Sequence, residues 1–119
     1  MENLPPTTDL IPATRREGDA LVLAVRGEVD LHNSPELRTE LFGLLGRVKP
    51  NRLVLDLRQV PYMDSSALAV LVEVLKVQTK AGGKVVLFNL QPRVRGLIEI
   101  ARLTTVFGIA KDEAEALAR

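Results

Sequence analysis

Two short apolar runs of this sequence flank a stretch with helical spacing. The first run, residues 52–57 (RLVLDL), and the second, residues 84–88 (KVVLF), are both bounded by turn-forming residues, which is typical of buried strands. The stretch between them predicts a helix from about residues 64–66 to Lys80, with a stop at Gly82-Gly83. Because a strand, a helix and a strand in this order indicate parallel strands joined by a crossover, we expect an α/β fold.

The N-terminal part predicts a hairpin. Apolar runs at residues 10–14 and 20–25 are separated by a charged turn with one glycine, which suits an antiparallel pair of strands. Residues 1–8 (MENLPPTT) contain two adjacent prolines, so we expect a flexible leader there. The remainder, 9–119, has the length of one domain. We therefore expect a mixed, mostly parallel sheet with an antiparallel hairpin at its N-terminal edge.

Three further helices are expected, which makes about four in all. Ser34 is a candidate N-cap with Pro35 at the first helical position, and leucines at helical spacing follow. A third helix is expected over residues 92–102 and a last strand over 106–109. Asp112 is expected to cap a terminal helix.

Composition argues against several classes of function. The 16 Lys and Arg nearly balance 15 Asp and Glu, and aromatic residues make up 3%, so nucleic acid is not an expected partner. The chain has no cysteine and His32 is its only histidine, so we expect no metal, no cofactor and no catalysis. The longest apolar run, residues 67–72, is far shorter than the roughly 20 residues that span a bilayer, and no export pattern precedes it. We therefore expect no membrane insertion and a cytoplasmic location.

Three residues that favour helix caps stand together before the second helix. If Asp64 is the N-cap, Met63 and Leu68 occupy the positions of a hydrophobic staple, and Ser65 lies in the first turn. A hydroxyl there lies near free backbone N–H groups and the positive end of the helix dipole, where a phosphoryl group is tolerated. From the spacing alone, a simple helix cap is the favoured explanation of the same residues.

Four segments in this order resemble the anti-sigma factor antagonist family, whose fold is the STAS domain, shared with cytoplasmic parts of sulfate transporters. The segments are residues 27–30 (GEVD), 55–57 (LDL), 63–68 (MDSSAL) and 82–84 (GGK). The resemblance implies that Ser65 is phosphorylated by a partner anti-sigma factor that is also a serine kinase. It further implies that the unphosphorylated protein binds this anti-sigma factor and that a PP2C-type phosphatase restores it.

The resemblance also assigns roles around the phosphoacceptor. Asp30, Asp64 and Ser66 match supporting positions beside Ser65. Ala67 stands where the family often has Gly, and we expect its methyl group to affect the phosphorylation rate more than the fold.

The second helix has an apolar arc of roughly 220°, wider than the arc of somewhat more than 100° that covers a core. Leu68, Leu71, Val72 and Leu75 are expected to face the core, while the excess is formed by a valine shoulder of Val70, Val74 and Val77. A neighbouring helix can cover this shoulder. The alternative is that the shoulder, together with Ala67, docks the partner next to Ser65.

Two other functions stay open at this stage. A STAS subunit that is never phosphorylated, serving a transporter or a scaffold, fits the same fold. A hydrolase with Ser65 as nucleophile needs His32 within reach and an oxyanion hole, and the sequence has no Gly-x-Ser-x-Gly elbow. Arg93, Arg95 and Arg102 are expected to form a solvated face rather than a binding patch.

Overall fold

The computed structural model describes residue 4 and residues 7–119, which form a five-stranded sheet with helices on both faces. Strands neighbour one another in chain order; the first pair is antiparallel and the later pairs are parallel. The predicted α/β class, mixed sheet and edge hairpin are confirmed, as are four helices in the described residues. The elements are β1 (Ala13–Glu17), β2 (Ala20–Arg26), α1 (Ser34–Val48), β3 (Arg52–Gln59), α2 (Ser65–Lys80), β4 (Lys84–Phe88), α3 (Pro92–Ile100), β5 (Gly108–Ala110) and α4 (Glu113–Ala118).

Strand β3 lies at the centre of the sheet and is covered on both faces. Leu53, Leu55 and Leu57 belong to the main core cluster, which also contains the buried residues of α1, α2 and α3. Val54 belongs to a smaller cluster on the other face, which contains Ala116 of α4. Alternate residues of a strand point to opposite faces, so a strand covered on both sides needs a continuous apolar run. For this reason the apolar run of β3 was sufficient to predict a buried strand.

Strand β1 begins three residues later than predicted. The apolar run at residues 10–14 supplies Leu10 and Ile11 to the core, yet both precede the strand. The strand itself is ATRRE, mostly charged, and it lies at the edge of the sheet, where charged side chains are tolerated. The hairpin loop is only Gly18-Asp19, and Gly18 has a positive φ of 59°. Hydrophobicity therefore located the core residues of this segment but not its strand.

Helix α1 is capped by Asn33 and not by Ser34 as predicted. Ser34 is the first helical residue and is buried. The Asn33 side chain accepts the Asp30 N–H at 2.8 Å and donates to the Glu28 carbonyl at 2.9 Å. Asn33 therefore stabilises the loop between β2 and α1 rather than the first turn of the helix.

The C-terminal elements differ slightly from the prediction. Helix α3 ends two residues earlier and β5 begins two residues later than expected. Val106 lies in a turn, where its N–H donates to the Leu103 carbonyl at 3.2 Å. The residue is 53% exposed. The predicted cap Asp112 is confirmed, since its carboxylate accepts the Glu115 N–H at 2.9 Å.

Most of the predicted leader, namely residues 1–3, 5 and 6, lies outside the described residues. Thr8 falls within the predicted leader and is bound to the domain: its hydroxyl donates to Glu40 of α1 and accepts the Ile11 N–H. Leu4 is partly buried against the main core.

Candidate functional site at the start of α2

Asp64 caps helix α2, as predicted. One carboxylate oxygen, Oδ1, accepts the N–H of Ser66 at 2.9 Å and the N–H of Ala67 at 3.2 Å. These are two of the N–H groups that the first turn of a helix leaves without an intrahelical partner. The two residues predicted to form the staple, Met63 and Leu68, are both buried in the main core cluster. The start of α2 is therefore fixed both by hydrogen bonds and by packing.

The loop after β2 is joined to the loop after β3. Val29 donates to the Tyr62 carbonyl at 3.1 Å, and Asp64 donates to the Val29 carbonyl at 3.1 Å, which forms a short parallel bridge. The second carboxylate oxygen of Asp64, Oδ2, accepts the Leu31 N–H at 3.1 Å. Both loops lie at the carboxyl ends of parallel strands, where ligands of α/β sheets commonly bind.

Asp30 lies in the first of these loops and is half-buried. Its carboxylate accepts the His32 N–H at 2.9 Å, and its carbonyl accepts the Ser34 N–H at 2.8 Å. The structure therefore brings Asp30 to the same edge of the sheet as Asp64. There it shapes the loop that contacts the start of α2.

Ser65 is the first residue of α2 and is exposed, whereas Ser66 is half-buried. The Ser65 hydroxyl makes no hydrogen bond to any residue that the structure describes. The neighbouring carboxylate of Asp64 is occupied by backbone N–H groups. Of the two serines, Ser65 is thus the more accessible from solvent.

A shallow depression of about 440 Å³ lies beside Ser65. The guanidinium of Arg93, in the first turn of α3, lies over the ring of Tyr62 at 4.7 Å from its centroid. Leu97 and Ile100 of α3 complete this side, and Ile100 is 84% exposed. No pattern in the sequence connects Arg93 with Ser65. The order of the strands does, because α3 follows the strand next to β3 and its start reaches the same edge of the sheet.

Most of the valine shoulder is buried, which agrees with the first of the two alternatives, cover by a neighbouring helix. Ala67 and Val74 are fully buried and Val70 is 6% exposed, and all three belong to the main core cluster. Helix α1 packs alongside α2, so the neighbouring helix covers this side. The expectation that these three residues meet a partner is therefore wrong, and of the four proposed residues only Val77, 46% exposed, is accessible.

Two other exposed apolar residues lie around the start of α2. Leu31, whose N–H is bound by Asp64, is 70% exposed, and Ile100 lies across the depression. Neither stood out in the sequence: Leu31 stands between Asp30 and His32, and Ile100 is one of several apolar residues of a helical stretch. The burial of Ala67 also means that its methyl group faces the core and not an approaching kinase.

No hydrogen bond joins His32 to Ser65 in the described part of the chain. Residues 4 and 7–119 contain no cluster of His, Asp and Glu that could hold a metal ion. None of the helices in this range is long and apolar enough to cross a membrane.

Comparison with known proteins places this arrangement in a family. The STAS domain family model matches residues 11–116. The anti-sigma-B factor antagonist of Bacillus subtilis (strain 168) is 37% identical over 90 residues, which is 75% of this chain and 81% of that protein. The crystal structure of an anti-sigma factor antagonist from Mycobacterium paratuberculosis has a TM-score of 0.81 at 23% identity, covering 96% of this chain and 97% of that chain.

A further structural neighbour is the Bacillus cell fate determinant SpoIIAA in its phosphorylated form. It has a TM-score of 0.66 at 21% identity, covering 90% of this chain and 98% of that chain. The sequence matches and the shared architecture agree with the resemblance drawn from the motifs. The chain belongs to the STAS domain family.

Proposed function

We propose that this protein is an anti-sigma factor antagonist whose binding is controlled by phosphorylation of Ser65. In the unphosphorylated state it binds an anti-sigma factor with serine kinase activity and so frees a sigma factor. Phosphorylation by that kinase releases the complex, and a PP2C-type phosphatase restores the antagonist. The observation that carries this proposal is the exposed, unbonded hydroxyl of Ser65 on a helix start already capped by Asp64.

The effect of a phosphoryl group at Ser65 follows from its charge. It adds about −1.5 to −2 charges at neutral pH. The positive end of the α2 dipole favours this charge, whereas the Asp64 carboxylate opposes it. Because Asp64 already binds the N–H groups of Ser66 and Ala67, the phosphate is not needed to hold the helix. We therefore expect the modification to change the surface and to leave the backbone as it is.

The charge of a phosphoryl group on Ser65 is expected to act mainly on partner binding. Leu31 and Ile100 are exposed apolar residues near Ser65 and form a surface suited to a partly apolar contact. Closing such a contact over a phosphoserine strips water from the charged group, which is costly unless the partner supplies a cation. Docking of an apolar partner surface is therefore expected to fail once Ser65 carries phosphate.

The relatives support this function. The Bacillus subtilis relative is named an anti-sigma-B factor antagonist. The phosphorylated form of SpoIIAA indicates that the shared fold accommodates a phosphoryl group. A cytoplasmic location is part of the proposal, because the proposed kinase needs ATP and the proposed target is transcription.

The test uses the protein with a candidate anti-sigma kinase and ATP, followed by intact-mass measurement. We expect wild type to gain one phosphate, Ser65→Ala to gain none, and the matched control Ser66→Ala to gain one. Calorimetric titration of the anti-sigma factor is expected to show roughly 100-fold weaker binding to the phosphorylated form, equivalent to about 2.8 kcal/mol.

Two results contradict the proposal. Equal affinity of the phosphorylated and unphosphorylated forms removes the switch, and phosphate that persists on Ser65→Ala moves the site. If the protein binds the kinase tightly but gains no phosphate in the presence of ATP, the result favours the alternative. That alternative is a STAS accessory or scaffold subunit that is never phosphorylated.

A further inference from the structure

A second surface lies away from Ser65, between the C-terminal half of α2 and the segment that joins α3 to β5. Two adjoining depressions of about 590 and 500 Å³ share Leu75, Thr79 and Val106 and form one groove. Val72 and Leu75, expected in the core, are only half-buried here, and Val106 is 53% exposed. Aliphatic surface is therefore left uncovered along this groove.

The rim of the groove is basic. Lys76, Lys80 and Lys84 are exposed and line it, and no acidic residue does. None of the three forms a salt bridge with the part of the chain that the structure describes. The acidic residue nearest in sequence, Glu73, is held by Arg38 of α1, with Nε and Oε1 3.0 Å apart. Glu73 also lies close enough to Lys76 for the lysine charge to help lower the pKa of Glu73. The groove thus combines an apolar floor with three lysines that form no salt bridge with the described residues.

We propose that this groove binds an acidic amphipathic helix of a partner protein. Apolar side chains at helical spacing would enter between Leu75 and Val106, and flanking Asp or Glu residues would pair with the lysines. Unpaired cations beside an apolar floor favour a ligand that carries both apolar side chains and negative charge. No aromatic side chain lines the groove for base stacking, which makes a nucleic acid the weaker candidate.

This surface is separate from the site at Ser65. A rise of about 1.5 Å per residue places the groove residues of α2 between roughly 10 Å (Val72) and roughly 21 Å (Thr79) along the helix from Ser65. Both distances exceed the Debye length of about 8 Å at physiological ionic strength, so a phosphate on Ser65 acts only weakly here. The groove is therefore expected to bind its partner whether or not Ser65 is phosphorylated, and the inference stands apart from the proposed switch.

The experiment uses the full chain, labelled with ¹⁵N, and a designed probe. The probe is a helical peptide with leucines on one face and glutamates on both flanks, and the control peptide has lysine in place of every glutamate. We expect changes in amide chemical shift to cluster at Val72, Leu75 and Val106 with the acidic peptide and not with the control peptide. The double variant Lys76→Glu/Lys80→Glu is expected to weaken binding at least tenfold, while Lys111→Glu, exposed and outside the groove, leaves it unchanged.

Other results overturn the proposal. Shifts that fall elsewhere, equal binding of the lysine peptide, or no shifts at millimolar peptide all count against it. Binding to phosphatidylserine vesicles but not to the peptide assigns the groove to a membrane surface. Dimerisation in sedimentation experiments that Val106→Asp abolishes assigns it to a second copy of this chain. Since Lys76, Lys80 and Val106 are exposed, circular dichroism is expected to show each variant folded.

Discussion

The carboxylate of Asp64 accepts the backbone N–H of Leu31 at 3.1 Å, across the gap between two loops. Its other oxygen binds the first turn of α2. One side chain therefore holds the start of the helix and the loop beside it in a fixed relation. Together with the bridge between Val29 and Met63, Asp64 therefore fixes the position of Ser65 and of the loop that carries Leu31.

We predict that Asp64→Ala lowers the free energy of unfolding by about 2 kcal/mol, the upper range for loss of an N-cap, because the tie to Leu31 is lost as well. Urea denaturation measures the change. Asp112→Ala is the matched control, since Asp112 caps the short helix α4 through one hydrogen bond. Its loss is expected to be less than half as large; equal losses contradict the bridging role of Asp64.

The burial of Val74 predicts a stability effect and not a binding effect. Val74→Ala is expected to cost about 2 kcal/mol of unfolding free energy, because a cavity opens in the core. Val77→Ala makes the same change one turn further on α2, at a residue that is 46% exposed, and is expected to cost less than about 0.5 kcal/mol. Chemical denaturation measures the unfolding free energy of both variants. Similar losses would contradict the assignment of Val74 to the core and of Val77 to the surface.

Arg93 is predicted to act in partner binding. Its stacking on Tyr62 is exposed, so Arg93→Ala is expected to cost less than about 1 kcal/mol of stability. Because Arg93 lines the depression beside Ser65, the same variant is expected to weaken anti-sigma factor binding several-fold in calorimetric titration. Arg95→Ala, on the same helix but outside the depression, is the control. An unchanged affinity for Arg93→Ala restricts this residue to the solvated face that the sequence suggested.

The pair Arg38 and Glu73 joins α1 to α2 and predicts a pH dependence. The hydrogen bond from Arg38, helped by its charge, lowers the pKa of Glu73 below the ordinary 4.5. A carboxyl whose pKa is lowered in the folded state stabilises the fold above its unfolded pKa, and this is lost as pH falls through the folded value.

Glu73→Gln is therefore expected to melt slightly below wild type at neutral pH, since the pair is exposed. The two melting temperatures should converge as the pH falls below 4.5. Thermal denaturation from pH 7 to pH 2.5 measures this, with Glu99→Gln, at an exposed residue, as control. A gap that persists at the lowest pH shows that the effect is not due to the charge of Glu73.

Local patterns in the sequence were sufficient where one element decides the outcome. The cap at Asp64, the apolar run of β3 and the staple residues around Ser65 were all readable, because caps and buried strands depend on neighbours in sequence. The exposed position of Ser65 follows from the same cap.

Features that depend on packing between helices and strands could not be predicted from the sequence. Val74 and Leu75 are adjacent and both apolar, and only the position of α1 beside α2 decides that Val74 is the buried one. The stacking of Arg93 on Tyr62 joins residues far apart in sequence, and depends on which strands are neighbours. The start of the charged edge strand β1 was misplaced by three residues, because an edge strand needs no apolar alternation.

The filled cap at Asp64 has a consequence for the speed of the switch proposed for Ser65. Since the aspartate has already engaged the helix end, adding or removing phosphate leaves no slack segment to fold or refold. In the proposed switch, the rate of each cycle is then set by the kinase, by the phosphatase and by dissociation of the complex. If Ser65 is phosphorylated as proposed, the antagonist itself then adds no refolding delay to the switch.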